Sequence, residues 1–173
     1  MRQVKINSTT GSEIVTTADV KSYARIDTSA DDTLIARMIT QARIWCENYI
    51  SRDIVAKNRT YYMDSTNGIF DIPFAPVSSI SSVTIDGTAT TNYTMIGLDN
   101  ETMELDAGDS EKVKVTYVTS GLDDSLLIQA ILQLTATYYD NRSDVFEGSS
   151  RFGNVEIPTS VKNILSSYRT MFI

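Results

Sequence analysis

Histidine is absent from the 173 residues, and cysteine occurs once, at Cys46. Without histidine there is no Ser-His-Asp or Cys-His catalysis, and the commonest zinc ligand is missing. One cysteine excludes an intramolecular disulfide and suits a reducing compartment. Cys46 falls on the apolar stripe of a predicted helix, where it reads as a small buried hydrophobe. Basic residues are scarce: 15 Lys and Arg face 22 Asp and Glu, a formal net charge of −7. Nucleic-acid binders gain most of their affinity by neutralising phosphates with Lys and Arg. An acidic chain instead repels DNA and anionic membranes. No apolar run approaches the ~20 residues that span a bilayer. Met1 to Ile6 leads into polar residues rather than the apolar region of a signal peptide. The triplets Asn58-Arg59-Thr60 and Asn141-Arg142-Ser143 therefore read as chance glycosylation matches.

What is present is an ordinary core composition, 42% hydrophobic and 21% charged, arranged as helices, then strands, then helices. A short helix is predicted from Thr17 to Arg25, with Thr16 as N-cap and Asp19 three residues later. A longer one is predicted from Ala30 to Ser51, capped by Ser29 with Asp31 and Asp32 in its first turn. Leu34, Ile35, Met38, Ile39, Ala42, Trp45, Cys46, Tyr49 and Ile50 draw one stripe along it. From Lys57 to Val118 the pattern shortens to strands: Thr60 to Met63, Ile69 to Ile72, Val77 to Ile85, Tyr93 to Ile96, Met103 to Leu105 and Val113 to Val118. Asn67-Gly68 and Asp86-Gly87 are turn signals between them. Helix resumes at Asp123 with Leu126, Leu127, Ala130, Ile131, Leu134 and Tyr138 on one face, and ends near Arg142. A polar loop from Ser143 to Glu156 is expected to move. Pro158 then opens a last helix bearing Val161, Ile164, Leu165 and Tyr168.

The fold class is therefore α+β: a small helical bundle with an antiparallel β insertion between the second and third main helices. Residues 1–56 and 119–173 are assigned to the bundle, and 57–118 to the inserted subdomain.

Candidate chemistry is thin. Asp99, Glu101, Asp106, Asp109 and Glu111 lack the fixed ligand offsets of a calcium loop and read as solvated turns. Asp31 and Asp32 are explained by the helix dipole. Gly148 and Gly153 lack the Gly-Lys-Ser/Thr that would credit a phosphate site, and Ser149 has no histidine to activate it. A helix-turn-helix reading fails because the second helix is too long and of mixed charge. No catalytic residue, cofactor or metal is expected, and the chain does not read as an enzyme.

Several segments in order resemble a known family. They are Val15 to Lys21 through Arg25-Ile26-Asp27, then Asp31-Asp32 and a helix ending Glu47-Asn48-Tyr49. Ile72-Pro73-Phe74-Ala75-Pro76-Val77-Ser78-Ser79-Ile80 follows, with the Asp86-Gly87 turn, Tyr93, and Val115-Thr116-Tyr117 before Gly121. Tyr138-Tyr139-Asp140-Asn141-Arg142 and Ile157-Pro158 through Tyr168-Arg169 complete the set. Together they are similar to the head–tail connector, or adaptor, proteins of tailed bacteriophages, in the subgroup with a β insertion. The chain departs in carrying Leu122-Asp123-Asp124 where members often have a proline, and Asp140 for the usual glutamate.

The resemblance implies a virion protein, made in the bacterial cytoplasm, that forms a dodecameric ring beneath the portal protein. A tail-completion (stopper) protein or tail tube would lie below it, and DNA would pass through the centre without sequence recognition. A lumen lined with carboxylates would keep DNA from sticking, over roughly the ~8 Å Debye length. The alternative is a tail-completion or neck stopper protein. The apolar end of the sequence suggests a docking segment: Tyr168, Arg169, Met171, Phe172 and Ile173 are the expected portal contacts, with packing on the chain's own bundle as the alternative.

Overall fold

A computed structural model describes residues 1–141 and 157–169. They divide between two compact units.

The helical unit comprises Glu13–Ile50 and Asp123–Arg169. Helix α1 (Thr17–Ala24) starts on the predicted capping box: the Asp19 amide donates to Thr16 Oγ1 at 3.2 Å, and the Thr16 amide donates back to Asp19 Oδ2 at 2.8 Å. Helix α2 (Asp32–Ile50) buries Ile35, Ile39, Ala42, Cys46 and Ile50, the predicted stripe at helical spacing. It begins later than expected. Ser29 is not its cap; Ser29 O accepts from the Asp32 amide at 3.3 Å in a preceding turn, while Asp31 O accepts from Ile35. Asp31 is thus left outside the first turn, and its carboxylate accepts from the Tyr139 hydroxyl at 2.7 Å.

Helix α3 (Ser125–Asp140) is capped by Asp124, whose Oδ1 accepts from the Leu126 amide at 2.8 Å. Leu127, Ala130, Ile131 and Leu134 form its buried face. Helix α4 (Thr159–Ser166) follows Pro158, which stands at the N-cap and has no hydrogen-bonding side chain. Val161 and Leu165 are fully buried. Helix α2 packs on α3, and α3 on both α1 and α4. The loop expected from Ser143 to Glu156 lies outside the described residues.

The β unit contains Met1–Ser12 and Ser51–Leu122. Its first strand, β1 (Arg2–Thr9), was not foreseen. It pairs antiparallel with β2 (Lys57–Thr66), so residues that the sequence assigns to the bundle belong to the sheet instead. The remaining strands are β3 (Ile69–Asp71), β4 (Val77–Ile85), β5 (Thr88–Thr90), β6 (Tyr93–Ile96), β7 (Thr102–Leu105) and β8 (Ser110–Thr119). One sheet runs β1-β2-β8-β4-β5 and the other β3-β7-β6, every pairing antiparallel.

A single apolar cluster joins the two sheets into a sandwich. Tyr61, Met63, Val83, Val113, Val115 and Tyr117 from the larger sheet meet Phe70, Met103 and Leu105 from the smaller. The alternation of Val113, Val115 and Tyr117 predicted for β8 is the buried face of that strand. At the β4–β5 turn Asp86 and Gly87 both have positive φ, 47° and 82°, as a two-residue hairpin requires. Gly68 closes the other predicted turn at φ 95°, where a Cβ would lie 2.8 Å from the Gly108 backbone.

Candidate functional site

The expected portal contacts divide in two. Met171, Phe172 and Ile173 lie outside the described residues. Tyr168 and Arg169 are described, and both make contacts within the helical unit. The Tyr168 hydroxyl hydrogen-bonds to Asp124, the cap of α3. This bond, with the Leu126 amide, holds the Asp124 carboxyl below its ordinary range. The Arg169 guanidinium lies 5.7 Å from the centre of the Tyr49 ring, which stacks on Trp45 at 5.2 Å. These two residues fasten the segment after α4 to the cap of α3 and the end of α2.

Two buried ionic clusters went unnoticed in the sequence. In the β unit, Asp53 is wholly buried. Its carboxylate accepts from Arg59 Nε at 2.8 Å, Arg59 Nη2 at 2.6 Å, Lys57 Nζ at 2.8 Å and Thr119 Oγ1 at 2.9 Å. Burial alone would push Asp53 up, but the hydrogen bonds and charges of Arg59 and Lys57 outweigh it and hold the carboxyl below its ordinary range. The Lys57 amide donates to Thr119 Oγ1 at 3.0 Å, so the hydroxyl both gives and receives. The Arg59 guanidinium then lies over Phe74, 3.7 Å from the ring centre. The Tyr117 hydroxyl donates to Pro73 O at 2.7 Å. This anchors the Ile72 to Pro76 segment, one of the family-like stretches, on β2 and β8.

In the helical unit, Arg43 Nη1 donates to Glu47 Oε2 at 2.7 Å and Nε to Glu13 Oε2 at 2.8 Å. Burial works against the Arg43 charge, but the two carboxylates outweigh it and raise its pKa. Thr40 Oγ1 donates to the other Glu13 oxygen at 3.0 Å. Cys46 is buried nearby on α2, and that burial pushes its thiol up to about 12. At that value it is not a nucleophile at neutral pH.

None of this is a reaction centre. Both clusters have their hydrogen-bonding atoms turned onto each other, which suits holding chain segments together. Among the described residues no group of three or more Cys, Asp or Glu could hold a metal, and no helix is long and apolar enough to cross a membrane. Exposed apolar side chains remain on the surface of the β unit. Val4, Ile6 and Ile69 are exposed along one edge of the sandwich, Ile96 and Leu98 along another. Between β1 and β3 runs a groove of about 510 Å³ lined by Arg2, Val4, Tyr61, Ile69, Phe70, Asp71 and Pro73.

A helical unit interrupted in sequence by an antiparallel sandwich makes this an α+β protein with a β insertion. The family is shown by the sequence: the chain belongs to the head completion protein family, whose model matches residues 13–171. No curated protein matches the chain. Among solved structures, it is similar to a chain in the neck of an empty gene transfer agent particle computed with C6 symmetry. The TM-score there is 0.76 at 16% identity, covering 99% of this chain and 97% of that one. It is also similar to a chain in the virion of the native gene transfer agent particle, with TM-score 0.72, 14% identity, and 99% and 97% covered. A third likeness is to a chain in the neck of the native particle computed with C12 symmetry, with TM-score 0.64, 15% identity, and 96% and 97% covered. At these identities the likeness establishes the shared α+β fold. The family agrees with the resemblance read from Val15 to Arg169.

Proposed function

We propose that this head completion protein is a connector subunit of the virion neck. It forms a ring beneath the portal protein, receives a tail-completion protein or tail tube below, and lets DNA pass through the centre. The observation that carries this reading is the family match across residues 13–171. The shared fold with chains from particle necks computed with C6 and C12 symmetry supports a ring, with twelve copies as the expected number. The net charge of −7 supports a lumen that does not hold DNA.

The test is light scattering of the full chain, alone and mixed with the cognate portal. A ring, or a monomer that joins the portal in fixed stoichiometry, is the expected result. A chain that ignores the portal and binds a tail component instead would overturn the reading in favour of a tail-completion or stopper role.

The segment from Tyr168 to Ile173 is proposed as the portal contact. Deleting Thr170 to Ile173 should abolish portal binding while thermal unfolding stays unchanged. A deleted chain that unfolds would assign those residues to the chain's own core. Substituting Tyr168 or Arg169 alone is expected to loosen the end of α4 as well, since both already contact the helical unit.

A further inference from the structure

Asn67 is the one asparagine in the 173 residues that precedes a glycine. That pair carries a chemistry of its own. Glycine has no side chain to keep its backbone nitrogen away from the preceding carboxamide, so the two groups can react with each other. The Gly68 amide loses its proton to solvent base, and its nitrogen bonds to Asn67 Cγ. The Cγ–Nδ2 bond then breaks and ammonia leaves, which closes a five-membered succinimide. Water opens that ring at either carbonyl. One product is aspartate. The other is isoaspartate, in which the main chain runs through the former side-chain carbon.

The fold holds both reacting groups. Asn67 is exposed and borders a polar cleft with Arg2, Asp109 and Glu111, so water reaches it. Yet the Gly68 amide donates to Thr66 Oγ1 at 3.3 Å, and Asn67 Oδ1 accepts from the Ile69 amide at 3.3 Å. Gly68 itself is buried. Its carbonyl accepts from the Leu105 amide at 2.8 Å, and it packs on the Gly108 backbone at φ 95° with no room for a Cβ. Ring closure turns the Gly68 nitrogen onto the Asn67 side chain, and these contacts resist that rotation.

Strand β3 is what can release them. It has three residues, lies at the edge of the smaller sheet and, among the described strands, pairs only with β7. Ile69 and Asp71 are exposed, so Phe70 is its one buried side chain. A short edge strand with a single buried residue opens at a lower free energy than the unit as a whole.

We propose that Asn67 is a site of spontaneous deamidation, gated by local opening of the Asn67-Gly68 turn together with β3. The conversion runs one way. Isoaspartate adds a methylene to the main chain just before Gly68, where the Gly108 backbone leaves no space, so a converted turn does not close again onto the Leu105 amide. The reaction consumes only water and needs no partner, so it does not depend on the ring.

The test follows the full chain in warm, mildly alkaline buffer, both native and in guanidinium chloride. Peptide mass spectrometry measures amide converted to acid at every asparagine, and isoaspartyl methyltransferase labels the isoaspartate. Asn67 should convert first in both states. In the native chain it should be slowed by about ten- to a thousandfold, as local rather than global opening requires. Thr66→Val keeps the shape of the side chain and removes the acceptor of the Gly68 amide. It should speed native conversion by about threefold or more, and leave the rate in denaturant nearly unchanged. Asn67→Gln should leave this position unlabelled. Native conversion as fast as in denaturant would show that the turn restrains nothing. A native amide that survives after the denatured one is lost would show that the turn does not open by itself. Either result, or another asparagine converting first, overturns the proposal.

Discussion

Each unit buries an ionic cluster, and the two have opposite polarity. In the β unit one carboxylate, Asp53, serves two cations and a hydroxyl. In the helical unit one guanidinium, Arg43, serves two carboxylates. The distances are alike, so the difference lies in burial. Arg43 and Glu47 are one turn apart on α2, and Glu13 remains 33% exposed. Asp53, in the linker before β2, is 0% exposed, and its partners come from β2 and from Thr119 at the end of β8, 66 residues away. One cluster ties the segment before α1 to α2 through a part-exposed carboxylate; the other, wholly buried, fixes where a linker enters a sheet.

That contrast can be broken by removing the central residue of each cluster. Asp53→Ala strips two buried cations of the carboxylate they share, and breaking a buried pair from one side costs about 3–5 kcal/mol. We expect the β unit to unfold first in urea, with Tyr117 and Tyr61 exposed early by fluorescence. A variant as stable as the parent would show that Lys57 and Arg59 do without it. Arg43→Met keeps the apolar length of the side chain and lets Glu13 turn to water, so the loss should be smaller, about 1–3 kcal/mol. It should appear in helical circular dichroism. Equal losses from the two substitutions would erase the distinction between a part-exposed and a wholly buried cluster.

Acid sharpens the same comparison. Asp53 has a folded pKa held below the ordinary value of 3.8. A depressed carboxylate contributes stability that is present above the unfolded pKa and is lost as pH falls through the folded one. The urea midpoint of the β unit should therefore hold steady down to about pH 4 and fall below it, and Asp53→Asn should flatten that fall. Arg43 is shifted the other way: its folded pKa is raised, so its contribution would be lost only at a pH above the ordinary arginine range. Titration should thus weaken the β unit through Asp53 and leave the Arg43 charge in place.

How much of this was legible in the sequence follows from the range of the interactions involved. The helical stripes of α2 and α3 and the Thr16 capping box are local patterns, and they appear close to where periodicity puts them. The two-residue turn at Asp86-Gly87 was legible for the same reason. Strand β1 was not. Its partner lies some fifty residues further on, both of its faces are exposed, and Val4 and Ile6 give too short an alternation to signal a strand. The short β5 carries only Thr88, Ala89 and Thr90. The Asp53 cluster was invisible because Asp53, Lys57 and Arg59 look like ordinary linker charges until Thr119 closes over them. A hint existed in Asp53 and Lys57 at a spacing of four, but in a non-helical stretch that spacing predicts nothing.

The smallest effect has the opposite sign and comes from the helical unit. Thr135 on α3 is completely buried, and among the described residues its hydroxyl oxygen has no hydrogen-bond partner. A buried hydroxyl that makes no bond carries its desolvation cost without return, about 1 kcal/mol or somewhat more. Valine has nearly the same shape and branches at the same carbon, so Thr135→Val exchanges the hydroxyl for a methyl in the same space. The slightly lower helix preference shared by both residues cancels. We expect the variant to be more stable by about 1 kcal/mol, read as a higher urea midpoint for the helical signal. The β unit should be unmoved, since nothing in its core is changed. A loss of stability would mean that the hydroxyl is bonded in solution, and that the polar atoms of the helical unit are as fully used as those around Asp53.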